Sequence, residues 1–304
     1  MDLRINNARK TIKFSMSDRV FYAITGVILF VLFLIFMYPL IFVVSASFSS
    51  GAAVSAGRVI LWPVDFSVEG YVHVFRHNLI VRAYWNTVRY TTVGTLFSIV
   101  MVMLAAYPLS RKDFVGRNRI MLIFVFTMLF NGGLIPNFLL MRDLGILDTI
   151  WVMTVPTALS VFYVIVARTF IQSSIPEELL ESAQIDGCSD ARYFFAILLP
   201  LSKAVIAVIC LFAAVAHWNA FFSAIIYLHS RDMVPLQIVL REILILNQMD
   251  MSMVDDPELI FQMIHIAAVI RYALIVVATL PILCAYPFAQ KYFAKGVMIG
   301  SVKG

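Results

Sequence analysis

Six long stretches without a charged residue divide this chain. They cover residues 20–48, 90–110, 120–141, 149–167, 204–230 and 272–290. Each stretch holds at least 19 residues, and an α-helix needs about 20 to cross the hydrocarbon core of a bilayer. The pattern therefore predicts an all-α polytopic membrane protein, with six transmembrane helices in one transmembrane domain over residues 1–304.

Composition and the distribution of cations support this class and predict an orientation. The chain is 62% hydrophobic and 13% charged, with a mean hydropathy of +0.91, whereas soluble domains are about one quarter charged. The first apolar run far exceeds the core of a secretory signal, which is about 7–15 residues, so an uncleaved span is expected. With the N-terminus inside, the inner segments hold 15 Lys and Arg residues and the outer segments 8, which favours both termini in the cytoplasm.

The polar stretch 173–200 separates the fourth and fifth apolar runs and predicts two short helices. Ser174 as N-cap, Pro176 in the first turn and Glu177 three residues after the serine predict a helix start. Gly187 is suited to a left-handed stop, and a second helix should begin near Ser189 or Asp190 and run into Pro200. Neither helix can span a bilayer, so the stretch should lie against the cytoplasmic face.

Several residues of this stretch resemble the EAA loop of bacterial ABC-importer permeases: Glu181, Ala183 and Gly187, with Asp186 before the glycine and Leu199-Pro200 after it. Ser182 departs from the motif, which has a second alanine there, but serine is close to alanine in size. The 106–111 turn, Trp218-Asn219 and the C-terminal tail are similar to the smaller, six-span permease subunit of maltose-type carbohydrate importers. The resemblance covers nearly the whole chain, most specifically residues 85–304.

The resemblance implies a coupling loop that seats in a cleft of a separate ATPase subunit. Glu181 and Asp186 would anchor the loop by charge and hydrogen bonds, and Gly187 would permit its turn. The implied coupling residues are Glu181, Ser182, Ala183, Asp186, Gly187 and Pro200, and the implied ATPase-docking residues of the tail are Lys295, Gly296 and Lys303. The expected segments are a cytoplasmic N-terminus (1–19), a first span with an outer loop (20–84), a permease core (85–290) that contains the coupling loop (173–200), and a cytoplasmic tail (291–304).

The implied assembly lies in a bacterial cytoplasmic (inner) membrane. This chain would be a permease subunit rather than an enzyme. It would form the path for a sugar, an oligosaccharide, with a second permease subunit, an ATPase dimer and an extracytoplasmic solute-binding protein. It would bind no cofactor or metal, and ATP and Mg²⁺ would be held by the ATPase.

Two runs carry candidate residues for a substrate path. Asn131 and Asn137 flank helix breakers inside the third run, and a break at membrane depth should face protein or a water-filled cavity. The alternative is that the helix ends near Asn131 and re-enters or lies at the outer interface. In the fifth run, Trp218 and Asn219 suit a sugar ring, whereas the alternative is helix packing, with Asn219 bonded to a neighbouring helix.

Other function classes fit the sequence less well. A secondary transporter driven by an ion gradient usually buries carboxylates in its spans, and every Asp and Glu here lies outside the six runs. An intramembrane hydrolase would need a nucleophile or metal motif, and nucleic-acid binding would need a basic patch interleaved with aromatics. A P-loop is also absent from the sequence. For the cargo, amino acids or peptides are the alternative to a sugar.

Overall fold

The computed structural model describes residues 15–245 and 257–301, and the regular structure in these residues is helical. The helices are α1 (Met16–Ser47), α2 (Gly51–Ser55), α3 (Glu69–Arg76), α4 (Asn78–Ser110), α5 (Arg117–Leu129), α6 (Leu134–Asp143), α7 (Ile150–Thr154), α8 (Val161–Ser174), α9 (Glu177–Ile185), α10 (Asp190–Tyr193), α11 (Leu199–Leu201), α12 (Lys203–Trp218), α13 (Phe221–Tyr227), α14 (Leu236–Ile245) and α15 (Pro257–Ser301). A π-helical turn (Phe194–Leu198) joins α10 to α11, and a 3₁₀ turn (Arg231–Met233) precedes α14.

Each predicted apolar run contains at least one apolar helix, but only three are continuous spans in the described residues. These are α1, α4 and the Ile264–Pro287 part of α15. The third run is α5 and α6, bent by 111°. The fourth run contains α7 and the shorter apolar helix α8, and the fifth contains α12, which meets the Asp190–Leu201 segment at 78°. The predicted all-α polytopic fold is confirmed, and half of its membrane elements are broken or bent.

The bend in the third run lies at the amides and glycines that the sequence singled out. Gly133 has a left-handed φ of 88°, and the Asn131 side-chain oxygen accepts a hydrogen bond from its N–H at 2.9 Å. The Asn137 amide donates to the Gly133 carbonyl at 2.8 Å. These side-chain hydrogen bonds replace some of the backbone hydrogen bonds that are lost where the helix is interrupted.

Helix α4 is longer than the uncharged run that predicted it. It begins at Asn78 rather than near Tyr90 and has 33 residues, which corresponds to about 50 Å. The reason is that a charge marks the edge of an apolar run, not the end of a helix. Arg82 and Arg89 lie inside the helix, and Arg82 pairs with Asp232 of the loop before α14.

The buried core places α4 at the centre of the bundle. Its C-terminal half packs with α8, α12 and the 183–198 segment in one apolar cluster, which includes Met103, Ala106, Val164, Ile209 and Leu198. Its N-terminal half packs with α3, α14 and α15. Helix α1 differs, because no residue of its most apolar 18-residue window is buried. That surface is suited to lipid or to another subunit.

Candidate functional site

The first helix of the coupling loop, α9, begins two residues later than a cap at Ser174 predicts. Ser174 is the last residue of α8, and Pro176 is the residue before the first turn of α9. The prediction that Ser174 caps this helix is therefore wrong. The physical reason is that the ring of Pro176 disfavours a helical conformation at Ile175, which is extended, with φ of −110° and ψ of 114°.

The turn between the two helices has the predicted chemistry. Gly187 adopts a left-handed φ of 72°, and its N–H donates to the Gln184 carbonyl at 3.0 Å, while the Cys188 N–H donates to the Ala183 carbonyl at 2.9 Å. The Ser189 hydroxyl then accepts from the Arg192 N–H, which starts α10 at Asp190. The left-handed stop at Gly187 and the restart at Ser189 and Asp190 are confirmed.

Helix α9 has one inward-facing side and one exposed side. Ala183 is 7% exposed and belongs to the apolar cluster around the C-terminal half of α4, where its small side chain permits close approach. Glu181, Ser182 and Asp186 are exposed, and the Ser182 hydroxyl donates to the Glu178 carbonyl of its own helix at 2.7 Å. Within the described residues, the carboxylates of Glu181 and Asp186 make no hydrogen bond or ion pair, so they are available to a partner.

The second half of the loop leads into α12 through a hinge-like segment. The π-helical turn precedes Pro200, which lies in the short helix α11, and proline cannot donate to the helical ladder. The axis then turns by 78° into α12. Pro200 therefore lies at the bend that separates the α9–α10 hairpin from the fifth run.

Inside this chain, the loop is anchored by residues that the sequence did not identify as coupling residues. Arg111, directly after α4, pairs with Asp190 and Asp113, and Lys112 pairs with Glu177. The hydrogen bond to Asp113, ahead of those to Asp190 and Tyr107, raises the pKa of Arg111 above its usual range. The same contact lowers the pKa of Asp113. The predicted topology already placed the basic turn after α4 and the acidic loop on the same membrane face. Their opposite charges were the sequence signal that could have predicted these ion pairs.

A second site lies at the broken third run. A cavity of about 730 Å³ opens between α4, the α5–α6 break, α8 and α12. Asn131 and Asn137, both predicted for the substrate path, line it, together with Ser98, Tyr163 and His217. Among the described residues that line the cavity there is no Lys, Arg, Asp or Glu. Its wall therefore offers aromatic faces, amides and hydroxyls.

The other two predicted path residues lie outside the cavity lining. The Trp218 indole is buried and donates to the Ala278 carbonyl of α15 at 2.9 Å. The Asn219 amide donates to the Val215 carbonyl at 2.9 Å and accepts from Gln237 of α14 at 3.4 Å. Both side chains thus take part in contacts within the bundle, as the helix-packing alternative described.

The predicted tail residues are only partly covered by the structure. Lys295 and Gly296 lie in α15, which runs to Ser301, and Lys303 lies outside the described residues. The predicted role of these residues in docking an ATPase stays a prediction.

No family model matches the sequence. The chain is 43% identical over 296 residues to the polygalacturonan/rhamnogalacturonan transport system permease protein YtcP of Bacillus subtilis, with 95% of this chain and 100% of YtcP covered. It is 40% identical over 266 residues to protein LplC of the same organism, with 88% of this chain and 89% of LplC covered.

A solved structure agrees over almost the entire chain. The crystal structure of a bacterial ABC transporter that imports the acidic polysaccharide alginate contains a chain with 35% sequence identity and a TM-score of 0.83, covering 93% of this chain and 100% of that one. The long and bent apolar helices of this chain therefore match the architecture of a chain in a solved ABC importer. The chain belongs to the family of membrane permease subunits of sugar-importing ABC transporters.

Proposed function

We propose that this chain forms, with a second permease subunit, the path by which an ATP-driven importer moves an oligosaccharide into a bacterial cell. The observation that carries the proposal is the two-sided helix α9. Ala183 fixes it to the bundle core, and Glu181, Ser182 and Asp186 are exposed for a partner. An ATPase dimer that holds ATP and Mg²⁺ would receive this exposed side, since the sequence has no P-loop.

Transport would proceed by movement of the coupling loop. A solute-binding protein delivers the cargo at the outer face, and nucleotide binding closes the two ATPase subunits around their clefts. The α9–α10 hairpin follows the ATPase, and the bundle changes between outward- and inward-facing states. The excess of Lys and Arg in the inner segments supports an orientation with both termini in the cytoplasm of the cell, which places the hairpin within reach of the ATPase.

The cargo we propose is an oligosaccharide that contains uronic acids. The support is the similarity to YtcP, named for polygalacturonan and rhamnogalacturonan, and to a chain of the alginate importer. The cavity wall of this chain is uncharged apart from the titratable His217, so it is suited to ring faces and hydroxyl groups. The sugar carboxylates would then be compensated by the second permease subunit or by the binding protein.

Reconstitution tests the proposal. The full complex in proteoliposomes is expected to take up labelled galacturonan or alginate oligosaccharides only with ATP, Mg²⁺ and the loaded binding protein. An ATPase subunit that cannot hydrolyse ATP is the control. Uptake by vesicles that contain this chain without an ATPase would refute the function, and uptake of neutral oligosaccharides alone would refute the proposed cargo.

A further inference from the structure

The Arg111 side chain joins two parts of the fold that are distant in sequence. It lies directly after α4, is 12% exposed, and pairs with Asp113 on its own turn and with Asp190, the first residue of α10. It also donates to the Tyr107 hydroxyl at 3.0 Å. Asp190 is 79 residues away in the chain. One guanidinium thus connects the end of α4 to the second helix of the coupling loop.

Aromatic packing surrounds this connection. The Tyr107 ring lies 6.1 Å from the ring of Tyr193 and 5.5 Å from that of Phe194, measured between centroids, and both partners are buried. The Arg111 guanidinium carbon is 5.7 Å from the centroid of the Tyr107 ring. Because the apolar rings partly shield the cation from water, its ion pair is screened less than one on an open surface.

Helix α8, which precedes the coupling loop, is held to the same end of α4. The Arg168 Nε donates to the Leu109 carbonyl at 2.9 Å, and the Gln172 amide donates to the Ser110 carbonyl at 3.2 Å. The last carbonyls of a helix lack partners within it, and a cation there also complements the helix dipole. Since α8 leads directly into α9, the loop is attached to α4 on both of its sides.

The opposite end of α4 is attached to the loop before α14. The Asn86 amide donates to the carbonyls of Asp232 and Val234 at 2.7 and 3.1 Å. The Tyr90 hydroxyl donates to the Met233 carbonyl at 2.7 Å, and the Thr87 hydroxyl accepts from the Leu236 N–H at 2.8 Å. A continuous helix of 33 residues therefore connects the coupling loop with the far side of the bundle.

We propose that Arg111 is a positioning residue that ties the coupling loop to α4, so that displacement of the loop moves α4 as a rigid rod. This inference rests on the proposed function. Without the tie, the loop would still bind the ATPase, but its movement would be lost in the turn that follows α4 instead of reaching the loop before α14 at the opposite end of the helix. Arg111 thus affects the coupling of hydrolysis to transport, rather than assembly or hydrolysis itself.

The test uses Arg111→Gln in the full complex with its ATPase and binding protein. Co-purification and basal ATP hydrolysis should equal wild type, and solute moved per ATP in the presence of loaded binding protein should fall about tenfold, within the range of typical coupling factors. Hydrogen exchange of amides 177–193 should become faster. Arg111→Lys should give an intermediate loss, since lysine keeps the charge without the planar fork of donors.

The matched control is Arg119→Gln. Arg119 lies in the first turn of α5, is exposed, and forms no ion pair in the part of the chain that the structure describes. Its replacement removes the same charge from the same membrane face, and coupling should be unchanged. Asp190→Asn should reproduce the loss of transport per ATP. The double variant with Arg111→Gln should lose no more than either single variant, because both substitutions remove the same ion pair.

Two results would overturn the inference: wild-type exchange and transport per ATP in Arg111→Gln, or additive losses in the double variant. If Arg111→Gln fails to assemble, Asp190→Asn supplies the same readouts from a side chain that is 67% exposed. Hydrogen exchange needs no transport. A wild-type complex without ATP-dependent uptake would therefore refute the proposed function, while the exchange rates would still decide the role of Arg111.

Discussion

The imidazole of His217 lies against the backbone of Gly94, so closely that a Cβ at position 94 would be 2.4 Å from its Cε1 atom. This contact joins α4 to α12 beside the cavity that His217 lines. Only a residue without a side chain permits it, and the glycine therefore determines how near the two helices approach.

Replacement of Gly94 by alanine should destabilise the protein. The added methyl group overpacks the interface, which costs about 1–3 kcal/mol, and the thermal unfolding midpoint in detergent should fall. Gly26→Ala is the control, because a Cβ at position 26 has no atom within 4 Å. Combining Gly94→Ala with His217→Ala should restore part of the loss, and a Gly94→Ala protein as stable as wild type would contradict the contact.

Substitutions at Gly187 and Gly145 can separate the cost of backbone strain from a steric clash with a docked ATPase. Gly187 and Gly145 have φ of 72° and 68°, and a Cβ at either has no neighbour within 4 Å in this chain. Valine at either position should cost about 1–2 kcal/mol, the penalty of a left-handed L-residue.

If the coupling loop seats in an ATPase cleft, only Gly187→Val should also abolish uptake by complexes that have inserted and folded. Gly145→Val should keep uptake in proportion to the folded protein. Equal uptake per folded complex in the two variants, measured in the same vesicles, would argue against docking at Gly187.

Asp148 predicts a dependence of stability on pH. Its carboxylate accepts from the Ser230 hydroxyl and from the N–H groups of Ser230 and His229, both at 3.0 Å, and the Ser230 hydroxyl is the main cause of a pKa lowered from 3.8. Because the folded-state pKa is depressed, the contribution is present above pH 3.8 and is lost as the pH falls through the folded value. The free energy of unfolding of Asp148→Ala should therefore be lower than wild type at pH 6, and the difference should shrink below pH 3.8. A difference that is the same at all pH values would exclude this origin.

The variant Trp218→Phe distinguishes a structural role of Trp218 in helix packing from a direct contact with the transported sugar. The variant loses the indole hydrogen bond to Ala278, worth about 1 kcal/mol, and the unfolding midpoint should fall while uptake per folded complex stays near wild type. Unchanged stability with lost uptake would instead favour the interpretation of Trp218 as a sugar-binding residue.

Local chemistry made the coupling loop the best predicted part of the site. The turn at Gly187 and the helix start at Ser189 and Asp190 depend on neighbouring residues alone, so the sequence was sufficient for them. The cap at Ser174 was wrong because the proline effect on Ile175 outweighs a capping pattern. Signals of this kind reach only a few residues along the chain.

Long-range contacts were beyond a single sequence. Nothing local relates Arg111 to Asp190, because their pairing depends on how α4 and α10 meet in three dimensions. For the same reason, amides inside an apolar run predicted a break at Asn131, but the sequence did not determine that Trp218 packs against α15 while His217 lines the cavity.

The exposed surface of α1 has a consequence for biogenesis. This helix has a hydropathy of 3.1 over its most apolar window and no buried residue there, so it needs no other part of the chain to be stable in lipid. We expect the translocon to release it first, as an independent anchor that sets the direction of insertion. We expect the angled α5–α6 pair to be retained until later segments cover the backbone groups at its break.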